Sequence, residues 1–218
     1  MQKMYFNPGC ALSIYKPEME QRILQYICEA YCAVELHKIC CRHEPRIEAG
    51  STIINICAGC DRRFGTLYEG IRTISFWEVL DNTDAFPYPD YGGQTMALHD
   101  ACPVRGKPQV HGAIRSLLRK MNIRVVEAKR HGANSVCCGD DFYPALPLET
   151  VHEKMKNRAD SMPCEEVAVY CVSCIKAMHI GGKSPRYMID LLFNEETTPG
   201  VYDTVAWHQQ LQAYIDAH

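Results

Sequence analysis

The sequence predicts an α/β fold built from two tandem, cysteine-rich units with short parallel sheets. Short runs of β-branched and other apolar residues alternate with longer segments of helical periodicity, a pattern typical of parallel α/β units. One arrangement of cysteines also occurs twice along the chain, which indicates an internal duplication. The predicted units comprise residues 1–86 and residues 94–218, and a Pro-rich linker at residues 87–93 joins them.

Two pairs of matching segments predict the central strands. Residues 4–10 match residues 96–102, where a short apolar strand and a tight turn lead into a cysteine. Residues 53–57 match residues 167–171, where an apolar run ends on the first cysteine of a C-x-x-C sequence. In parallel α/β units, functional groups gather where strands end and helices begin. We therefore expect the cysteines at that edge, where helix dipoles favour a thiolate.

Helices are predicted between and after these strands. Their apolar residues keep a one-face spacing, and they span residues 17–36, 76–80, 108–121, 148–162, 188–192 and 203–218. The segment at residues 148–162 has no counterpart in the first half, and Val125 and Val126 form a candidate strand before it. Asp203 or Thr204 is the expected cap of the last helix.

Cysteine carries most of the information in this composition. Of 13 cysteines, ten form two copies of one arrangement, a lone cysteine followed by an adjacent pair and a C-x-x-C. The first copy contains Cys10, Cys40, Cys41, Cys57 and Cys60. The second copy contains Cys102, Cys137, Cys138, Cys171 and Cys174. The remaining cysteines are predicted to be structural, and they are Cys28, Cys32 and Cys164.

Composition also limits the function classes. The formal net charge is −3 and basic residues are scattered, so we expect no nucleic-acid partner. The apolar runs are far shorter than the ~18 residues that cross a bilayer, and the first residues lack the apolar core of a signal peptide. We therefore expect a cytoplasmic protein without membrane insertion. Because disulfides persist poorly in a reducing cytosol and the number of cysteines is odd, the clustered cysteines favour metal binding.

The residues around the second copy carry a family resemblance. Cys137-Cys138-Gly139 and the stretch at residues 97–105 resemble the cysteine-rich CCG domain family, typified by the disulfide-reducing subunit of heterodisulfide reductase. The resemblance covers both halves, because the pair and the C-x-x-C recur in the same order. It implies two pseudo-twofold-related units, each holding a noncubane 4Fe–4S cluster on five cysteines. It also implies that the two clusters face each other and cleave a disulfide in one-electron steps.

Carried over position by position, the resemblance assigns every cysteine of the two copies to a cluster. One cluster would be held by Cys10, Cys40, Cys41, Cys57 and Cys60, and the other by Cys102, Cys137, Cys138, Cys171 and Cys174. His99, Arg105 and His111 are candidates to support the second cluster by donating hydrogen bonds or balancing charge. The implied partners are an iron–sulfur or flavin subunit that supplies electrons and a small disulfide or thiol substrate.

The first half departs from the pattern of the family. Arg42 stands where a glycine is expected after the cysteine pair, and a residue with a Cβ disfavours positive φ. Only 15 residues separate Cys41 from Cys57, against 32 between Cys138 and Cys171. Some members of the family carry zinc in one half, so zinc is the alternative occupant of the first site.

Three function classes stay open at this point. The first is a disulfide reductase-type enzyme subunit with paired clusters as its active site, which the ten retained cysteines favour. The second is an electron-transfer subunit of a flavin-dependent dehydrogenase complex of the lactate, glycolate, glycerol-phosphate or succinate type. The shortened first half and Arg42 favour this second class. The third is a zinc-containing structural or sensor module. No nucleotide-binding or hydrolase motif occurs, so electrons are expected from a partner subunit.

Overall fold

The computed structural model describes residues 3–31, 33–83 and 86–218, and it confirms the α/β fold class. The chain divides into two compact units, one formed by Met1–Phe86 with His208–His218 and the other by Pro87–Trp207. Each unit contains a four-stranded parallel sheet. Within the described ranges, none of the helices combines the length and apolar character needed to cross a membrane.

The first unit alternates strands and helices around the sheet order β2-β1-β3-β4. Its elements are β1 (Met4–Asn7), α1 (Cys10–Tyr15), α2 (Met19–Ala30), β2 (Val34–Leu36), β3 (Thr52–Asn55), α3 (Ala58–Leu67), β4 (Arg72–Ser75) and α4 (Phe76–Asp81). In the register of this sheet, Met4 pairs with both Val34 and Thr52. Ser75 caps α4 in a capping box with Glu78, which stops β4 and starts the closing helix.

The second unit repeats this plan with the equivalent order β6-β5-β7-β8. Its elements are β5 (Thr95–His99), α5 (Pro108–Lys120), β6 (Arg124–Glu127), α6 (Leu148–Asp160), β7 (Glu166–Val169), α7 (Val172–Ile180), β8 (Ser184–Tyr187) and α8 (Met188–Leu192). A 3₁₀ turn at Cys102–Val104 occupies the place of α1. The identical strand order supports the duplication, and α6 is the main addition.

The central strands are buried on both faces. Ile53 and Ile54 in β3, and Val167 and Ala168 in β7, have no exposed surface. Consecutive buried residues of this kind are expected where helices cover both sides of a parallel sheet. The cores of the two units therefore lie around these strands, and the strand ends are left to carry polar and thiol side chains.

All six predicted helical segments contain a helix, one of them ends early, and α1, α3 and α7 were not predicted. The predicted helix at residues 17–36 ends at Ala30, because the chain then turns and Val34–Leu36 pairs with β1 as a parallel strand. Cys32 lies outside the described residues. The last helix, α9 (Thr204–Ala217), confirms the prediction for the tail, and Oδ1 of Asp203 caps it by accepting a hydrogen bond from Ala206 N at 2.7 Å.

The segment expected to be a linker, residues 87–93, falls in the second unit. Tyr91 donates hydrogen bonds from its backbone N to Met121 O at 2.9 Å and from its hydroxyl to Leu191 O at 2.9 Å. Most of α9 belongs to the first unit, where Nε2 of His43 donates to Ile215 O at 2.8 Å.

Candidate metal sites

Five thiols converge in the first unit, and we call Cys10, Cys40, Cys41, Cys57 and Cys60 the first thiol set. Hydrogen-bonding contacts connect the Cys40 thiol to those of Cys10 and Cys41. The Cys60 thiol makes the same kind of contact with Cys41 and with Cys57. All five predicted cysteines of this half therefore lie together, although Arg42 replaces the expected glycine.

Local structure explains how the first set is assembled. Cys10 begins α1 directly after β1, and Cys57 is the cap residue of α3 with Cys60 in its first turn. Parallel strands bring these two helix starts to the same edge of the sheet. Gly9 allows the close approach, since a Cβ there would lie 2.9 Å from Cys57 Cβ, and its φ of 78° favours glycine.

The cysteine pair reaches this edge on the segment after β2. That segment is held by two side chains, one from α3 and one from the residue directly after α3. Nε of Arg63 donates to Cys41 O at 3.4 Å, and the Tyr68 hydroxyl donates to His43 O at 2.7 Å. The position of the pair thus depends on contacts between segments that are distant in the sequence.

The second unit repeats the arrangement, and we call Cys102, Cys137, Cys138, Cys171 and Cys174 the second thiol set. The Sγ atoms of Cys102 and Cys137 lie 3.8 Å apart. Hydrogen-bonding contacts continue from Cys137 to Cys138, and the Cys174 thiol contacts those of Cys138 and Cys171. The order of contacts is the same as in the first set. The structure therefore gathers all ten predicted cysteines into two groups of five.

In both sets the first cysteine of the pair has a strongly lowered pKa. The pKa of Cys137 lies far below its ordinary value because its thiolate accepts hydrogen bonds from Cys102 and Cys138 and from backbone N–H groups, including Gly139 N at 3.4 Å. Cys40 has a similarly lowered pKa through Cys10, Cys41 and the backbone N–H of Arg42. Thiolates are the form of cysteine that binds metals, so Cys40 and Cys137 are suited to bind a cation or a metal cluster.

The C-x-x-C of the first set adds a second acidic thiol. The hydrogen bond from Cys60, followed by those from the backbone N–H groups of Cys60 and Gly59, lowers the pKa of Cys57 to about 7 against the opposing effect of burial. These backbone donors belong to the first turn of α3. Free N–H groups at a helix start are a general means of holding negative charge.

His99 is the one of the three predicted supporting residues that reaches the second set. A ring nitrogen of His99 and the Sγ atoms of Cys138 and Cys174 lie within 4.8 Å of one another. Nδ1 of His99 accepts a hydrogen bond from Nε of Arg158 at 3.1 Å, so the proton of the neutral ring is on Nε2. Burial, followed by the charge of Arg158, lowers the pKa of His99 to about 3 and keeps the ring neutral.

The other two supporting residues have different positions. Arg105 donates from Nε to Ser135 O at 2.6 Å and so holds the segment that leads into Cys137. His111 is buried on α5 beside Asp100 and Arg115, and no contact between His111 and a thiol occurs in the described part of the chain. His111 therefore belongs to the core of the unit.

Arg158 was not predicted from the sequence. It lies on α6 with 4% of its surface exposed, and it also donates to Ser161 Oγ at 3.3 Å and Ser135 Oγ at 3.4 Å. The sequence did contain a sign of this role, since Arg158 lies on the same helical face as the buried Val151 and Met155. Burying a charge there costs free energy unless a partner compensates it. Burial lowers the pKa of Arg158, and the opposite charges of Cys174, Asp100 and Cys138 counteract that shift.

The first unit has a different side chain at the position of His99. Asn7 ends β1 as His99 ends β5, and Nδ2 of Asn7 donates to His37 O at 3.0 Å and to Ile39 O at 3.2 Å. Its Oδ1 is buried without a hydrogen-bond partner among the described residues. The second unit thus has a buried histidine and a buried cation at this position, where the first unit has Asn7.

A steric constraint explains why a glycine follows the cysteine pair of the second unit. Gly139 has a φ of 113°, and a Cβ there would lie 2.8 Å from Met155 Cγ and 2.9 Å from Met155 N in α6. The first unit has no equivalent of α6 among its described elements, and Arg42 is exposed and does not have positive φ. The substitution at Arg42 therefore reflects the missing helix and leaves the thiols of the first set together.

The grouped thiols are suited to binding metal, and the sequence comparisons add no family to this finding. A scan against protein-family models gives no match. A search of curated proteins likewise gives none.

Proposed function

We propose that this chain is an iron–sulfur oxidoreductase subunit similar to the disulfide-reducing subunit of heterodisulfide reductase, and that each thiol set holds a noncubane 4Fe–4S cluster. The observation that carries the proposal is the convergence of five thiols, in the same order of contacts, in two units with the same strand order. A zinc site or an ordinary cubane uses four cysteines, so either would leave one thiol over in both units.

The second thiol set fits such a group in its charge as well as in its ligands. Iron–sulfur clusters with thiolate ligands are anionic, and hydrogen-bond donors to their sulfur atoms stabilise that charge. Nε2 of His99 is buried and has no hydrogen-bond partner among the described residues, and Arg158 places a cation behind it. These features support an anionic occupant in this site.

In the proposed reaction, a cluster held by each thiol set would supply one electron, and two electrons with two protons from solvent would convert one disulfide to two thiols. The residues of the chain bind and shield the site. Cys138 and Cys174 are almost fully buried, which excludes water from the inner side of the second set, while Cys137 and Cys102 remain partly exposed toward solvent. Because the chain has no recognisable nucleotide or flavin motif, we propose that a partner with iron–sulfur or flavin groups supplies the electrons.

An electron-transfer subunit of a flavin-dependent dehydrogenase complex is the second candidate, and one observation favours it. The cavity that contacts Cys10 and Cys40 has a volume of about 10 Å³, which is roughly the space of one water molecule. A group bound by the first thiol set could exchange electrons through the surrounding protein, but a disulfide could not enter that cavity. In this second candidate, both sites conduct electrons and the chemistry occurs on the partner.

Zinc remains the alternative occupant of the first set. That site has an unpartnered amide oxygen at Asn7 in place of a histidine donor. A Zn²⁺ ion brings its own positive charge to the thiolates and requires no N–H donor from the protein. A mixed form, with zinc in the first site and a cluster in the second, is therefore the alternative to two clusters.

Metal analysis separates these proposals. The protein is purified without oxygen, and iron, acid-labile sulfide and zinc are measured per chain. About eight irons support two clusters, about four irons with one zinc support the mixed form, and zinc without iron overturns the redox proposal. The dithionite-reduced protein is then mixed with glutathione disulfide. Rapid reoxidation supports the reductase, and reoxidation by ferricyanide alone supports the electron-transfer role.

A further inference from the structure

A basic cavity adjoins the second thiol set. It has a volume of about 400 Å³, and Cys137 lies on its wall with Phe142 and four cationic side chains, which are Lys129, Arg130, Lys154 and Arg158. Of the described residues, no aspartate or glutamate lines it. The volume is within the range of cavities that bind small organic molecules.

Among the described residues, no hydrogen bond or ion pair joins a carboxylate to the four cations of this cavity, although the charge of Asp100 favours the protonated form of Arg158. Arg158 donates only to neutral groups, which are His99, two serine hydroxyls and the carbonyl oxygen of Arg130. Lys154 Nζ lies 4.8 Å from the centre of the Phe142 ring, a cation–π contact. In the described part of the chain, neither Lys154 nor Lys129 forms an ion pair. Lys129, Arg130 and Lys154 lie around one concave surface, and cations grouped in this way attract an anion.

The same cavity has an apolar wall. Phe142 is 38% exposed, which is unusual for a side chain of this size, and Val136 lies beside it. A second cavity of about 390 Å³ shares Val136, Cys137, Phe142 and Arg130 and adds Arg105. The space next to Cys137 is therefore basic on one side and apolar on the other. By contrast, the cavity at Cys10 and Cys40 measures about 10 Å³.

We propose that the cavity beside Cys137 binds a small organic anion, a phosphate or carboxylate compound with an apolar part. Lys129, Arg130 and Lys154 bind the anionic group, and Phe142 packs on the apolar part. The bound molecule lies against the partly exposed Cys137. Binding requires only the cavity and its charges, whereas a role of the ligand as substrate rests on the proposed function.

Calorimetry with three probes tests the proposal on the protein as purified. Phenyl phosphate combines an aromatic ring with a dianion, phenol supplies the ring alone, and inorganic phosphate supplies the charge alone. We expect phenyl phosphate to bind at least about tenfold more tightly than phenol, and its affinity to fall as salt rises from about 50 to about 300 mM, since salt screens exposed charges. Equal affinity for phenyl phosphate and phenol would overturn the proposal.

Variants locate the binding. Lys129→Gln and Lys154→Gln should each weaken phenyl phosphate binding by about fivefold, because each removes one charge-assisted contact. Phe142→Ala should weaken phenyl phosphate binding and leave inorganic phosphate unchanged. Lys156→Gln is the matched control, since Lys156 is exposed on the same helix and pairs with Asp160 at 3.5 Å. An equal loss in Lys156→Gln and Lys154→Gln would place the anion elsewhere.

The outcome is independent of the metal analysis. If the protein contains zinc without iron and phenyl phosphate still binds in a Lys154-dependent way, the redox proposal fails and the cavity assignment stands. If the clusters are present and phenyl phosphate binding does not depend on Lys129 or Lys154, the cavity assignment fails alone.

Discussion

Nε of Arg158 donates a hydrogen bond to Nδ1 of His99 at 3.1 Å, and both side chains are almost fully buried. A guanidinium can only donate, so this contact makes Nδ1 an acceptor and leaves the proton on Nε2. His99 therefore carries a buried N–H group on Nε2, and one of its ring nitrogens lies within 4.8 Å of the Cys138 and Cys174 thiols. In this tautomer Nε2 has no free lone pair for a metal, which makes His99 a positioning residue for the bound group.

The tautomer can be observed directly. In protein labelled with ¹⁵N at histidine, the Nδ1 resonance of His99 should have the shift of an unprotonated nitrogen and Nε2 that of a protonated one. Arg158→Met should change this pattern and shift the reduction potential of the second site to more negative values, because a cation near an anionic group is lost. Lys156→Met on the exposed face of α6 is the control and should change neither. A metal-bound Nε2 in the native protein would contradict the assignment.

Substituting a cysteine of the second set should lower the metal content, whereas substituting a cysteine outside both sets should not. Cys138→Ala removes a buried thiol that contacts Cys137 and Cys174, and we expect it to abolish the signal of the second site and roughly halve the iron content. Cys28→Ala should leave both unchanged, since Cys28 is exposed and its Sγ donates to Val34 O at 3.7 Å, outside both thiol sets. Full iron content in Cys138→Ala would show that Cys138 is not a ligand.

Replacing Gly139, which follows the second cysteine pair, should destabilise the protein, whereas replacing Arg42 after the first pair should not. Gly139→Ala introduces a Cβ against the backbone of Met155 at a φ of 113°, and we expect a loss of about 3 kcal/mol in the free energy of unfolding. Arg42→Ala, at the equivalent position of the first unit, should change it by less than about 0.5 kcal/mol because the side chain is exposed. Urea denaturation of the two variants measures the difference, and similar midpoints would contradict the steric explanation.

The C-terminal helix should protect the first thiol set. Ile215 is 7% exposed and packs in one cluster with Cys40, Cys41 and Cys60. Ile215→Ala should cost about 3 kcal/mol in stability by leaving a cavity, and should increase the rate at which a maleimide labels the metal-free first set. Gln212→Ala, on the exposed side of α9, is the control. Labelling is read by mass spectrometry of each cysteine peptide. Equal acceleration at the second set would indicate a general loss of structure instead.

Much of the fold was predictable because its signals are local. Strands and helices such as β5, α5 and α9 follow from the spacing of apolar residues within one short segment. The end of α2 was placed too late because β2 has only three residues, and a pattern of that length cannot be distinguished from the last turn of a helix. β4 and β8 were missed for the same reason, since four-residue strands with exposed positions carry little periodicity.

The sequence by itself determined the duplicated order of ten cysteines and their positions after strands, because a residue next to a strand end in the chain is also next to it in space. The tertiary structure alone decided what surrounds the thiols. Arg158 reaches His99 across 59 residues of sequence, and Ile215 returns to cover Cys40 and Cys41. Such contacts depend on how α6 and α9 pack, and packing between distant segments is not encoded in any local pattern. The charge, access and asymmetry of the two thiol sets follow from that packing.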